Sequence, residues 1–176
     1  EDGRSISFDL REGVSFSDGT PFDATAAEWN LKRWMGVAVF SWIGIADAYD
    51  SIVIDAPNKI TVKLKRPVPA ALLELTIVRP VRFLSPSAAA GQPIGTGPYK
   101  LARYEPDVRT VLQRHADWWG RADPRNGNLA EVQFIVVKSD ATRLAALASG
   151  EVDLVLDPPF QDIERLPDIF FVWVSC

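Results

Sequence analysis

The segment Leu10-Arg11-Glu12-Gly13-Val14-Ser15-Phe16-Ser17-Asp18-Gly19-Thr20-Pro21-Phe22 sets the order of elements from which the fold is read. Ser17-Asp18-Gly19-Thr20-Pro21 predicts a tight turn, because Asp-Gly supplies the positive φ that a sharp reversal needs. Just before it, Ile6, Phe8 and Leu10 alternate with Ser5, Ser7 and Asp9, the period of a half-buried strand. Just after it, Asp23 or Thr25 can cap a helix, and Thr25 with Glu28 has capping-box spacing. The helix is predicted to run through Trp29, Leu31 and Trp34 to about Met35, where Gly36 can end it. Trp29 and Trp34 both read as core.

Strands and helices keep mixing further along. Ile52-Val53-Ile54 and Ile60-Thr61-Val62-Lys63-Leu64 flank Ala56-Pro57-Asn58-Lys59 as a hairpin. Pro67 and Pro69 break the chain before a short helix over Ala70 to Leu75. A brief strand is predicted at Val81 to Leu84, and a helical turn after Ser85-Pro86-Ser87. Gly95-Thr96-Gly97-Pro98 is a loop between these and two β-rich stretches, Tyr99 to Tyr104 and Val108 to Arg114. Val132 to Val137 reads as a strand, and Thr142 to Ser149 as a helix started by Asp140 and ended by Gly150. A strand at Asp153 to Leu156, a short helix to about Leu166 and a terminal strand complete the pattern. The fold class is mixed α/β, of the α+β kind.

Composition narrows the function. The 176 residues are 47% hydrophobic and 24% charged, which suits a globular core. The net charge of −4 and the lack of a basic stripe argue against a nucleic-acid partner; the densest cationic patch is Lys63, Lys65 and Arg66. With Cys176 and His115 each the single residue of its type, no internal disulfide and no Cys- or His-cluster metal site can form. No window is apolar for long enough to span a bilayer. The opening Glu1-Asp2-Gly3-Arg4 is polar, unlike a signal peptide. Ile6 to Leu10 starts mid-pattern, as a strand whose partner precedes Glu1, and the apolar run at Asp168 to Cys176 ends without a cap. Both ends are therefore expected to be cut ends of a longer protein.

Four stretches, in order, resemble the motifs of the bacterial family 5 solute-binding proteins, the peptide- and nickel-binding components of ABC importers. They are Leu10 to Phe22, Pro93-Ile94-Gly95-Thr96-Gly97-Pro98-Tyr99, Asp117-Trp118-Trp119-Gly120 and Thr142-Arg143 through Ser149-Gly150-Glu151-Val152-Asp153. In the third, Trp118 stands at a position where the family usually has Tyr. Ser41-Trp42, Arg79-Pro80-Val81-Arg82-Phe83 and Pro86-Ser87 look like the nickel-type branch. There a Trp and the first Arg of the Arg-Pro-x-Arg-Phe segment face the ligand cleft, which by position are Trp42 and Arg79. A second cleft Arg of that branch falls at Val39 here, and Val37-Ala38-Val39-Phe40 holds no cation.

The resemblance implies part of the first lobe of a two-lobed periplasmic-binding-protein type II fold. Residues 14–92 would form a smaller subdomain and 93–176 would return into the main lobe sheet, with the second lobe absent. It also implies a periplasmic or otherwise extracytoplasmic, membrane-associated protein that captures a small molecule, metal chelate or peptide for ABC permease subunits. A nickel or other metal chelate, or an opine-like compound, is the expected ligand. A di- or oligopeptide is the alternative within the family, and a non-binding remnant is a further one. No cofactor and no metal ligand of this chain's own is expected.

Each motif also has a plainer reading. Asp18-Gly19 is structural as a turn. Gly95-Thr96-Gly97 lacks the spacing of a dinucleotide fingerprint and a following Lys-Ser, and Pro98 removes a backbone donor, so it reads as a crossing loop rather than a phosphate cradle. Arg79 in its apolar surroundings must pair or face a cleft, since unpaired burial is costly. Its planar fork suits a carboxylate, and a salt bridge to Glu74 or another acid is the structural alternative; for Arg82 that alternative is preferred. Trp42 either joins the core or stacks on a ligand. Trp118 and Trp119 are expected to pack on the sheet, as adjacent strand residues that point to opposite faces. His115 has no Ser or Cys partner pattern, no Gly-x-Ser-x-Gly elbow is present, and Glu151 with Asp153 reads as a structural turn. The chain is not expected to be an enzyme.

Ile169-Phe170-Phe171-Val172-Trp173-Val174 combines β-branched and aromatic residues without charge, Pro or Gly. Left uncovered, such a strand is an association hazard. The chain on its own is expected to self-associate through this segment, and Val172→Lys to shift it toward monomer in light scattering under reducing conditions. A wild-type chain that is monomeric at high concentration would contradict this.

Overall fold

The computed structural model describes residues 3–76, 81–88, 92–123, 125, 127–156 and 158–159. The elements are β1 (Ser5–Asp9), α1 (Ala24–Lys32), α2 (Gly44–Asp47), β2 (Tyr49–Ala56), β3 (Lys59–Leu64), α3 (Ala71–Glu74), β4 (Tyr99–Glu105), β5 (Arg109–Arg114), β6 (Glu131–Ile135) and α4 (Asp140–Ser149). A single 3-10 turn, Ala38–Phe40, precedes α2. The fold is mixed α/β, as the sequence predicts.

The chain divides into two compact units, Glu1–Ala102 with Leu112–Val132, and Arg103–Val111 with Gln133–Cys176. In the first unit β1, β3 and β2 form an antiparallel sheet with β3 at the centre. The predicted hairpin is present, and its register sets Ile52 opposite Val62 and Ile54 opposite Ile60. β1 pairs with β3, Ile6 opposite Val62 and Phe8 opposite Ile60, so its partner follows it in the chain rather than preceding Glu1. The alternation that identified β1 is what makes this work, because Ile6 and Phe8 fall on one face with Ile60 and Val62.

Helix α1 covers that face. Ala24, Ala27 and Leu31 join Trp34, Ile43, Ile45, Ile60, Val62 and Leu64 in one buried cluster. The Asp23 carboxylate caps the helix by accepting from the Ala26 amide at 2.9 Å, which satisfies one of the orphan donors of the first turn. The Thr25–Glu28 capping box does not form; Glu28 instead pairs with Lys32 at 2.6 Å, one turn on. The helix ends at Lys32, earlier than predicted. Arg33 to Gly36 form a turn, with Gly36 at φ 72°. The two tryptophans differ in burial, because Trp34 lies three residues beyond Leu31 on the buried stripe of Ala24, Ala27 and Leu31 while Trp29 lies off it. Trp34 is buried on the sheet, whereas Trp29 is 40% exposed with the Arg33 guanidinium 5.2 Å above its ring.

Strands β4, β5 and β6 make a second sheet in that order. Amide-to-carbonyl bonds from Arg114 to Ala130 and from Val136 to Val108 mark the β5–β6 pairing at its two ends. In the second unit α4 starts at a Ser139 cap and ends on Gly150 in the left-handed conformation, so Ser139, not Asp140, is the cap residue. Val81 to Leu84 and Asp153 to Leu156 are not strands. The helix expected before Leu166 and the terminal strand lie outside the described residues.

Trp34→Ala should cost about 3–5 kcal/mol of unfolding free energy, the usual cost of emptying a large aromatic site in a core. Trp29→Ala should cost less, about 1–2 kcal/mol, because it loses a cation–π contact and only part of a buried surface. Urea denaturation of the two variants checks the difference in burial.

Candidate functional site

Residues 81–88 follow the Arg79-Pro80 pair and have no strand partner, so side chains must satisfy their backbone. Asn30 does this from α1. It is 1% exposed. Its Oδ1 accepts from the Leu84 amide at 2.7 Å, and its Nδ2 donates to the Leu84 carbonyl at 2.8 Å and to the Ala26 carbonyl at 2.9 Å. One residue on, the Ser85 amide donates to the Ile94 carbonyl at 2.8 Å. The Ser85 and Ser87 hydroxyls each donate to Asp18 at 2.7 Å. The Asp18-Gly19 turn, with Gly19 at φ 86°, therefore presents a carboxylate to the Ser-Pro-Ser segment as well as reversing the chain. Burial alone would raise the Asp18 pKa. The Ser87 and Ser85 hydroxyls and the Thr20 amide and hydroxyl outweigh it and hold the carboxyl well below its ordinary value of 3.8.

Trp42 belongs to neither helix nor sheet. The Ala38–Phe40 turn is closed by Phe40 amide to Val37 carbonyl and Ser41 amide to Ala38 carbonyl bonds, and Ile43 amide donates to the Phe40 carbonyl at 2.9 Å. Ile43 is buried, so the chain is pinned beside Trp42 while the indole itself is 67% exposed. Trp42 is thus not a core residue. Glu74 of α3 fixes the next step, its Oε2 accepting from the Ile45 amide at 2.6 Å. Gly44 makes this possible, because a Cβ there would lie 2.8 Å from Glu74 Oε1 and 3.3 Å from Val68 Cγ1. Val39, Leu72 and Leu73 are also exposed, so the surface carried by this region is apolar. Arg79, the other expected ligand-contacting residue, lies outside the described residues. Arg82 is exposed, and its carbonyl accepts from Arg33 Nη1 at 3.3 Å.

The Gly95-Thr96-Gly97-Pro98 loop presents carbonyl oxygens to its partners. Gly95 accepts from the Ser17 amide and Pro98 from the His115 amide. Thr96 accepts from both Trp118 Nε1 at 2.9 Å and Trp119 Nε1 at 2.8 Å. These acceptor roles suit a crossing loop and not an anion cradle. They also correct the expectation for the Trp pair. The two indoles lie in turns, converge on one oxygen with ring centroids 5.1 Å apart, and do not straddle a strand. Arg11 from the first motif sits 4.6 Å over the Trp119 ring. Glu151 and Asp153 are exposed and not in a strand. Among the described residues no group of His, Cys, Asp or Glu could hold a metal ion, and no helix is long and apolar enough to cross a membrane.

This mixed α/β arrangement is shared with periplasmic solute-binding proteins of known structure. An ABC transporter substrate-binding protein from Sinorhizobium meliloti superposes with a TM-score of 0.81 at 39% identity, covering 88% of this chain and 32% of that one. NikA from Brucella suis in complex with Fe(III)-EDTA gives 0.79 at 34% identity, with 88% and 32% covered. The chain belongs to the bacterial extracellular solute-binding proteins, family 5, whose middle-region model matches residues 1–169. Among curated relatives, the nickel-binding periplasmic protein of Escherichia coli K12 is 30% identical over 164 residues, 88% of this chain and 30% of the relative. The glutathione-binding protein GsiB of Shigella boydii is 27% identical over 180 residues, 94% of this chain and 33% of the relative. The chain thus spans about a third of the length of these relatives.

Two outcomes follow from the polar contacts around residues 81–88. Asn30→Ala leaves the half-buried Leu84 amide and carbonyl without their partner, and should lower stability by about 1–3 kcal/mol in denaturant titration. Because the folded-state pKa of Asp18 is depressed, its contribution is fully present above the ordinary value of 3.8 and is lost as pH falls below it. Asp18→Asn should therefore lose stability at neutral pH and show a flatter stability profile below about pH 4 than the wild type. Melting temperatures across that range measure it.

Proposed function

We propose that this chain is part of the substrate-binding component of an ABC importer, working outside the cytoplasm and delivering a captured solute to membrane permease subunits. Membership of the family supports this reading, as does the lack of any nucleophile–base pair in the sequence; the chain is not read as an enzyme. In the whole protein two lobes would close on the ligand by a hinge. Residues 14–92 would form a smaller subdomain of one lobe and 93–176 would run back into its main sheet.

The ligand we propose is a metal chelate, nickel foremost, or a small anionic compound of opine type. The observation that carries this is the 67% exposed Trp42 on a pinned segment, since a large aromatic held out of the core by rigid neighbours is a contact surface rather than a packing residue. Likeness to the nickel-binding protein and to the Fe(III)-EDTA complex of NikA supports the chelate class. Arg79 would neutralise a ligand carboxylate with its fork, and Trp42 would cover the ligand's apolar part. Likeness to a glutathione-binding protein keeps a peptide as the second reading.

Native mass spectrometry of the whole protein purified from its host tests the ligand class. A bound metal chelate or opine-sized acid supports the proposal, a bound peptide moves it to the second reading, and an empty protein that takes up none of these overturns both. With the ligand known, Arg79→Ala should weaken an anionic ligand by roughly 1.5–3 kcal/mol, the size of a hydrogen bond to a charged group. Arg79→Lys should recover only part, because the bidentate fork is lost. Trp42→Ala should weaken binding by about 1–2 kcal/mol while leaving the melting temperature unchanged. Calorimetry on the three variants checks all of these, and unchanged affinity in both Arg79 variants would make that residue structural.

A further inference from the structure

A pocket of about 310 Å³ opens in the first unit beside the Trp118–Trp119 turn. Its walls include Pro98, Arg114, His115, Trp118, Arg121 and Gly127. None of its lining residues belongs to the Trp42 segment or to α3. Rigid contacts hold the wall. The Trp118 indole N–H is tied to Thr96. Its ring lies so close to Gly120 that a Cβ there would sit 2.5 Å away, so only glycine allows this turn. The Arg114 amide is bonded to the Ala130 carbonyl at 3.0 Å and the Arg121 amide to the Trp118 carbonyl at 3.1 Å, which roots both arginines.

The charge on this wall is unbalanced. Among the described residues neither the Arg114 nor the Arg121 side chain has a hydrogen bond or ion pair. The carboxylate lining the pocket, Asp123, is already gripped by Arg125, with Nε 2.9 Å from Oδ1 and Nη2 2.8 Å from Oδ2. Two arginines whose side chains have no partner among the described residues thus line one concavity in a chain whose net charge is −4. His115 lines the same pocket, is 9% exposed, and its Nδ1 has no hydrogen-bond partner among the described residues, a state that buried polar groups rarely keep.

The geometry points to a second binding site, separate from the Trp42 edge, that takes a small oxyanion of the carboxylate or phosphate class. A guanidinium fork matches either group through paired N–H donors. The volume suits a small multi-oxygen anion, being at the lower end of ordinary ligand pockets. A ligand oxygen entering the pocket, or a water it carries in, gives His115 Nδ1 its missing partner.

The test uses the whole protein, stripped of bound solute, titrated by calorimetry with inorganic phosphate and separately with malonate. Saturable binding is expected with a dissociation constant on the order of millimolar. Arg114→Gln and Arg121→Gln should each weaken it by about threefold to fivefold, as expected for an exposed charged contact, and Arg121→Lys should retain part. Melting temperatures without anion should match the wild type, which separates loss of the site from loss of the fold. Tighter phosphate would assign the site to phosphoryl groups and tighter malonate to carboxylates, each supporting the proposal. Absence of saturable heat with both anions overturns it, as does unchanged affinity in both Gln variants. So does affinity that falls in Arg79→Ala but not in Arg121→Gln, which would place the anion at the proposed solute site.

Discussion

The interaction on which the first unit depends is the pair of hydrogen bonds between Asn30 and the backbone of Leu84. Where a segment without a strand partner is withdrawn from water, as at Ser85 and in part at Leu84, its amides and carbonyls need partners within the protein. Asn is suited to this because its amide offers a donor and an acceptor side by side, as a neighbouring strand would. With Ser85 bonded to Ile94 and both hydroxyls of Ser85 and Ser87 on Asp18, residues 81–88 are fastened to the helix, to the loop at 94 and to the opening turn. Helix α1 meets the same demand at its start through Asp23.

A second junction gathers the family motifs. The Thr96 carbonyl accepts two indole N–H groups, and Arg11 covers one of the same rings. Stretches separated by most of the first unit's length thus meet at one oxygen and one aromatic pair. Indole rings suit this role because they bring a large apolar face together with one polar tip that needs an acceptor. This gives physical content to the presence of Gly-Thr-Gly-Pro and Trp-Gly in one chain: the first supplies an accessible carbonyl, and the glycine of the second makes room for the ring.

Against these fixed parts the Trp42 edge stands out. It has no sheet partner and no polar cap of its own at the 3-10 turn, yet buried Ile43 and the Glu74–Ile45 bond hold it in place. For the solute contact proposed for Trp42 this combination would be an advantage, since contacts on a pre-ordered element avoid the ordering cost on binding. Val39, Leu72 and Leu73 are exposed as well, and under the proposed reading they would suit a ligand that brings hydrocarbon as well as charge.

The sequence by itself determined the family, the fold class and most elements. Those readings rest on local rules: alternation in β1 and β3, turn chemistry at Asp18-Gly19, and the left-handed Gly150 that stops α4. The exposure of Trp42 was legible only as one of two alternatives, and the role proposed for Arg79 still rests on sequence resemblance. What only the tertiary structure decided were facts about partners. Trp29 and Trp34 both read as core, but only Trp34, three residues beyond Leu31 on the stripe that meets the sheet, is buried. Trp118 and Trp119 look like strand neighbours, but a single carbonyl from a distant loop draws both to it. Asn30 looks like an ordinary helical polar residue, and no local pattern shows that its amide serves a segment 54 residues away. Periodicity and turn preference act over a few residues, whereas the pairing of a buried polar group is settled by whichever atoms the whole fold brings within reach.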